Sequence, residues 1–135
     1  MNQPEKSYLS ALAENLTPEM LSYLSKTEWK EKTIEAGSQF SPTLESNTVY
    51  HVTGTIDYWD NPTLKARNSP WSDMWIVMAN MYAGTSINIQ GETVIFPQGE
   101  FNTVDNDDYV FIFFHSLNNV VCLYYNTSVT PDTNA

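Results

Sequence analysis

The sequence predicts an α+β fold: an N-terminal helical hairpin packed on an antiparallel β-meander of about six strands. Three observations lead there. Tyr109–Tyr125 reads YVFIFFHSLNNVVCLYY, two short β-branched and aromatic runs with a polar turn between them, which favours strands. Neither run alternates apolar with polar residues, so both faces of this hairpin are expected to be covered. Near the N-terminus, apolar residues recur instead at helical spacing around Thr17-Pro18-Glu19, which reads as a hydroxyl N-cap, a proline at the first helical position and an acid in the first turn.

Taken in order, Pro4–Leu16 reads as a short helix with Tyr8, Leu9, Leu12 and Leu16 on one face. A second helix follows from Thr17 to about Ala36, carrying Met20, Leu21, Leu24 and Trp29, with Glu28 and Lys32 at i,i+4 and Gly37 as its cap. Ser38–Asn47 contains Pro42 and reads as a connection. Thr48–Trp59 is a half-buried strand interrupted by Gly54, which marks a bulge. Asp60-Asn61-Pro62 ends it, and Asn61–Pro70 is an exposed loop.

Ser69–Gly84 reads two ways. As a helix, Trp71, Met74, Trp75, Met78 and Tyr82 make one stripe; as a strand, Trp75-Ile76-Val77-Met78 is a buried run. Ile76 and Val77 face away from that stripe, so a strand from Met74 to about Tyr82 is the expectation. Ser86–Gln90 and Thr93–Phe96 flank Gly91-Glu92 as a hairpin. Pro97–Asp108 is an acidic loop leading into the central hairpin. The expected organisation is one domain over 1–135, with the helical hairpin at 1–37, the antiparallel sheet at 48–126 and a frayed tail at 127–135. A chain of 135 residues buries roughly two-thirds of its unfolded surface, enough for a core without staples.

Charge is the most informative compositional fact. The net value is −10, from 16 acids and 6 bases. The bases are Lys6, Lys26, Lys30, Lys32, Lys65 and Arg67, so nothing after Arg67 is cationic. Such a surface repels phosphates, so neither direct nucleic-acid binding nor membrane binding is expected. A basic protein surface is the expected partner. A homodimer is expected too, because the helical hairpin covers only one sheet face and a second copy could bury the other.

Localisation is read as cytoplasmic. The N-terminus lacks a basic region followed by an apolar run, no stretch reaches the roughly 20 apolar residues of a membrane span, and the lone cysteine, Cys122, cannot form an internal disulfide.

The motifs for catalysis are thin. His51-Val52-Thr53 matches one half of a two-histidine phosphoesterase signature, in which paired imidazoles serve as acid and base. Its second half, His115-Ser116-Leu117, has leucine where the hydroxyl belongs. His115 facing Cys122 would supply two zinc ligands of the four a closed site needs. Asp105-Asn106-Asp107-Asp108 begins a calcium loop that lacks its later glycine and glutamate. No phosphate-cradling glycine loop or nucleophile elbow is present. No metal and no cofactor are expected.

The leading expectation is therefore a non-catalytic acidic binding protein. Glu100, Asp105, Asp107 and Asp108 would steer it to a basic surface, and Trp59 and Trp71 would contribute to contact. Immunity proteins against nuclease toxins and phage-encoded inhibitors of host defence are similar in size and composition. A small-ligand or carbohydrate module, with Trp59, Trp71, Trp75 and the acids Asp57, Asp60 and Asp73 around a pocket, is the alternative; a phosphoesterase is the third reading.

Overall fold

A computed structural model describes residue 18 and residues 29–65, 73–116 and 118–127. Eight strands run in the order β1 (Lys30–Glu35), β2 (Thr43–Glu45), β3 (Thr48–Ile56), β4 (Thr63–Lys65), β5 (Met74–Met81), β6 (Val94–Ile95), β7 (Asp107–Ser116) and β8 (Asn119–Asn126). Six of them form one sheet in the order β1-β3-β5-β7-β8-β6, while β2 and β4 pair separately.

The sheet is mixed. β1, β3 and β5 are parallel neighbours, β7 is antiparallel to both β5 and β8, and β6 is parallel to β8. Five strands thus run one way and β7 alone runs the other. This overturns the predicted α+β class and its antiparallel meander, which survives only across β5, β7 and β8. The reason lies in the connections. Residues 36–47 and 57–73 are long enough to carry the chain back across the sheet, as parallel neighbours require. Among the described residues they do so without helices: β2 and β4, one from each crossover, pair in parallel, and Phe40 bridges Trp59.

No helical hairpin is present among the described residues. The helix expected to run on to Ala36 gives way to β1, because Thr33-Ile34 is a β-branched pair and all six positions find partners on β3, from Lys30↔Thr48 to Glu35↔Thr53. The helical expectation for Pro4–Leu16 and for residues 19–28 lies outside the described residues, as do Trp71 and the tail from residue 128. The Gly91-Glu92 hairpin is also corrected. Ile89 and Glu92 form a single bridge around a tight turn, with Gly91 at φ +72°, and Val94–Ile95 pairs with β8 instead. Strands were correctly expected at β3, β5, β7 and β8.

Both faces of the sheet are buried. On the first, Tyr50, Trp75, Val77, Tyr109, Phe111, Phe113 and Cys122 pack under Phe40, Leu44, Trp59, Ile87, Ile89 and Phe101 from the connections. On the second, Val49, Met74, Ile76, Val110, Ile112, Phe114, Val121 and Leu123 cluster with Trp29. None of these second-face residues is more than 9% exposed. The homodimer expectation rested on an uncovered apolar face, and that face is closed within one chain.

Polar groups stitch the layers. The Trp75 Nε1–H donates to the Leu44 carbonyl at 3.0 Å, fastening β5 to the crossover layer. Asn47, at φ 56° and only 4% exposed, accepts from Lys30 N through its carbonyl and donates from its own N to the Met74 carbonyl, so it ties the starts of β1, β3 and β5 together.

The sheet edges are closed differently. β1 carries Lys30, Glu31, Lys32 and Glu35 in six residues, a charged edge that resists pairing with another chain. Where short β6 leaves β8 uncovered, the Gln98 side chain takes a strand's place. Its Oε1 accepts from Tyr124 N at 2.9 Å and its Nε2 donates to the Tyr124 carbonyl at 3.1 Å.

Candidate functional site

The strands that run together all deliver their carboxyl ends to one rim of the sheet, and β7 begins there. Asp57 and Tyr58 follow β3, Tyr82 follows β5, and Val104 and Asp105 precede β7. Backbone bonds hold these segments side by side. Tyr82 N donates to the Ile56 carbonyl at 2.9 Å, and Gly84 N to the Thr103 carbonyl at 2.9 Å. Ala83 N donates to Asn106 Oδ1 at 3.0 Å. The side chains above this frame are unusually open for their type: Tyr58 is 50% exposed, Tyr82 53% and Val104 82%.

The acids of the rim divide into two kinds. Asp57, Glu100 and Asp105 are exposed, and no side-chain hydrogen bond holds them among the described residues. Asp107 and Asp108 belong to β7 rather than to a loop and are held in place. Asp107 Oδ2 accepts from Asn126 Nδ2 at 3.0 Å. Asp108 Oδ1 accepts from Asn80 Nδ2 at 2.9 Å, and Asn80 Oδ1 in turn accepts from the Thr55 hydroxyl at 2.8 Å. A polar row thus crosses β3, β5 and β7.

The described cations stand elsewhere. Lys32 Nζ is 3.0 Å from Glu45 Oε2, and Lys30 and Lys65 add their field to the same carboxylate. The Lys32 hydrogen bond, then its charge, holds Glu45 below the usual carboxylate range; the same contact raises Lys32. Glu45 lies at the turn into β3, at the opposite end of the sheet from the rim. Lys32 and Glu45 are surface groups, so this pair contributes little to stability. Its effect is to collect the described positive charge in one place.

The other expected site residues are placed as follows. Trp59 is fully buried, packed against Phe40, Phe111 and Phe113 with centroids at 4.9, 5.7 and 6.0 Å, so no partner or sugar reaches it. Trp75 is equally buried. Trp71 lies outside the described residues. Asp73, 2% exposed, precedes β5 at the far end from Asp57 and Asp60, so these three acids do not meet.

The two histidines are separated by the sheet itself. His51 shares the second face with Val49 and sits 2.6 Å from Glu31 Oε1. His115 is on the first face, edge-on to Trp75 at 5.4 Å and 3.6 Å from Glu92 Oε2. They cannot act as an acid–base pair on one phosphodiester. His115 faces Val120 across the hairpin, and Cys122 faces Phe113, so those two ligands do not meet either. Among the described residues no group of three or more His, Cys, Asp or Glu converges as metal ligands would. No described helix is long and apolar enough to cross a membrane.

Burial pushes the Cys122 thiol well above its ordinary pKa. Only the thiolate reacts readily with disulfide reagents. Cys122 should therefore stay unmodified by a thiol-reactive chromogen at pH 8 in the native protein and react in full in denaturant. Rapid native labelling would show that β8 is not sealed.

Sequence reasoning missed Tyr58, Tyr82 and Val104 because their convergence depends on strand direction. Each follows or precedes a strand end, which was legible; that these ends share one rim was not. No protein-family model, curated protein or solved structure matches this chain. The fold and the site define a mixed-sheet β protein with an acidic, tyrosine-bearing rim.

Proposed function

We propose that this is a non-catalytic acidic binding protein that occupies a basic surface of a partner protein, in the manner of an inhibitor or immunity protein. The observation that carries the reading is the rim, where half-exposed Tyr58 and Tyr82 stand among Asp57, Asp105, Asp107 and Asp108 while the described lysines gather around Glu45. Tyrosine is among the residues most enriched in interface hot spots. Surface carboxylates speed encounter with a basic patch. A cytoplasmic setting belongs to the same proposal, with Cys122 a buried free thiol.

The test begins with capture from the native host using the wild-type protein and a rim variant, Asp57→Asn/Tyr82→Ala/Asp105→Asn. All three side chains are exposed, so the variant should fold. A partner retained by the wild type should be lost or strongly depleted with the variant. Association rates would then be measured across a salt series. The variant should associate about tenfold or more slowly at low salt. That gap should close as salt passes about 0.15 M, where the screening length is about 8 Å. Equal capture, equal rates and equal salt slopes would remove the rim from the function.

A further inference from the structure

The β3 bulge opens a cleft beside the rim. His51 pairs with Met78 and Thr55 with Asn80, so Val52, Thr53 and Gly54 stand opposite Ala79 alone. Gly54, at φ +84°, permits this excursion. The strands part, and a cleft of about 380 Å³ forms, lined among others by Val52, Gly54, Met78, Asn80, Asp108 and Thr127. That is at the small end of ligand cavities, sized for one side chain rather than a cofactor.

Resting on the acidic-binder reading, we infer that this cleft receives a single arginine side chain of the basic partner. Its chemistry is divided as that side chain is. Val52, Met78 and Ala79 supply apolar wall for the methylene stem. Asp108 supplies the charge, and its geometry is fixed in advance: Asn80 Nδ2 holds Oδ1 at 2.9 Å, and Asn80 is itself anchored by Thr55. Oδ2 of Asp108 carries no hydrogen bond among the described residues, so the carboxylate has an oxygen left to accept with. A guanidinium presents a planar fork of five donors that matches a carboxylate, whereas an ammonium is a point charge.

The probes are the capped tripeptide acetyl-Gly-Arg-Gly-amide and its lysine and citrulline counterparts, titrated into the full-length ¹⁵N-labelled protein. The arginine peptide should shift the amides of Gly54, Ala79 and Asp108 and the Asn80 side-chain NH₂. The lysine peptide should bind several-fold more weakly, and the uncharged citrulline peptide should not bind. Asp108→Asn keeps the oxygen that Asn80 donates to and should weaken arginine binding at least tenfold. Glu92→Gln, beside His115 at the other end of the sheet, should leave it within about twofold. Shifts scattered over the rim, equal losses from the two variants, or equal binding of lysine would overturn the cleft assignment and leave the rim reading standing. Binding confined to the cleft while the rim variant still captures its partner would do the reverse.

Discussion

Replacing Phe111 with alanine should destabilise the protein by about 3–5 kcal/mol, the range for deleting a buried aromatic whose cavity cannot collapse. Phe111 is fully buried at the middle of the first face. It meets Trp59 at 5.7 Å and Phe101 at 5.2 Å, both edge-on, and stacks between Tyr109 at 5.9 Å and Phe113 at 6.5 Å. Two of these neighbours, Trp59 and Phe101, come from the connections rather than the sheet. The truncation therefore loosens the join between the layers as well as the sheet. The midpoint of denaturant unfolding, followed by tryptophan fluorescence, reads the effect. A loss below about 1 kcal/mol would mean that these rings do not form the centre of the core.

Gly54→Val should cost about 1–3 kcal/mol, and for a different reason. A Cβ at this position meets only the Ala36 Cβ, at 3.8 Å, which is an ordinary contact. Space is available; the backbone is not. At φ +84° a β-branched side chain is strained, at a cost of this order. Asparagine tolerates such angles better, so Gly54→Asn should lose distinctly less than Gly54→Val. Thermal melts of the two variants would show the ordering. Equal stability of wild type, asparagine and valine forms would mean that the bulge is not held in this conformation.

The parts of the fold that could be read from sequence were those encoded by local composition. Met74–Met81 and Val120–Tyr125 are unbroken apolar runs whatever their neighbours do, and Gly54 announced its bulge by breaking a strand. Direction was not encoded locally. Nothing in the residues of β3 or β5 distinguishes a parallel from an antiparallel partner except how much chain lies between, and the two crossovers read only as a connection and an exposed loop. Phe40 and Leu44 inside the first connection, with Trp59 where the second begins, are the large apolar residues that mark a packed layer. β1 is hidden in the sequence because Trp29 continues the helical spacing of Met20, Leu21 and Leu24, and pairing with β3 outweighs that pattern. At the site, the exposure of Glu100 and Asp105 was legible from an acidic stretch without apolar partners. Asp107 and Asp108 were misplaced in the loop because β7 starts two residues before its apolar run. Trp59 near a strand end suits a core as well as a binding site, and the core reading is the one the structure bears out.

The reversed direction of β7 has a consequence for the order in which the sheet assembles. β7 and β8 are joined through a turn between paired Ser116 and Asn119, so their registry can form within microseconds and at little cost in loop closure. β3 and β5 cannot pair until residues 57–73 have looped back, and β1 cannot join until residues 36–47 have done the same. Contacts that close long loops tend to come late. The hairpin is then the nucleus, and β5, β3 and β1, each reached across a longer connection, add to it later. Conservative truncations on β7 and β8, such as Ile112→Val and Val121→Ala, should give Φ-values well above those of Ile34→Val on β1 and Val52→Ala on β3. Equal values on the two sides would mean that the sheet condenses as a whole, and that its one antiparallel strand confers no head start.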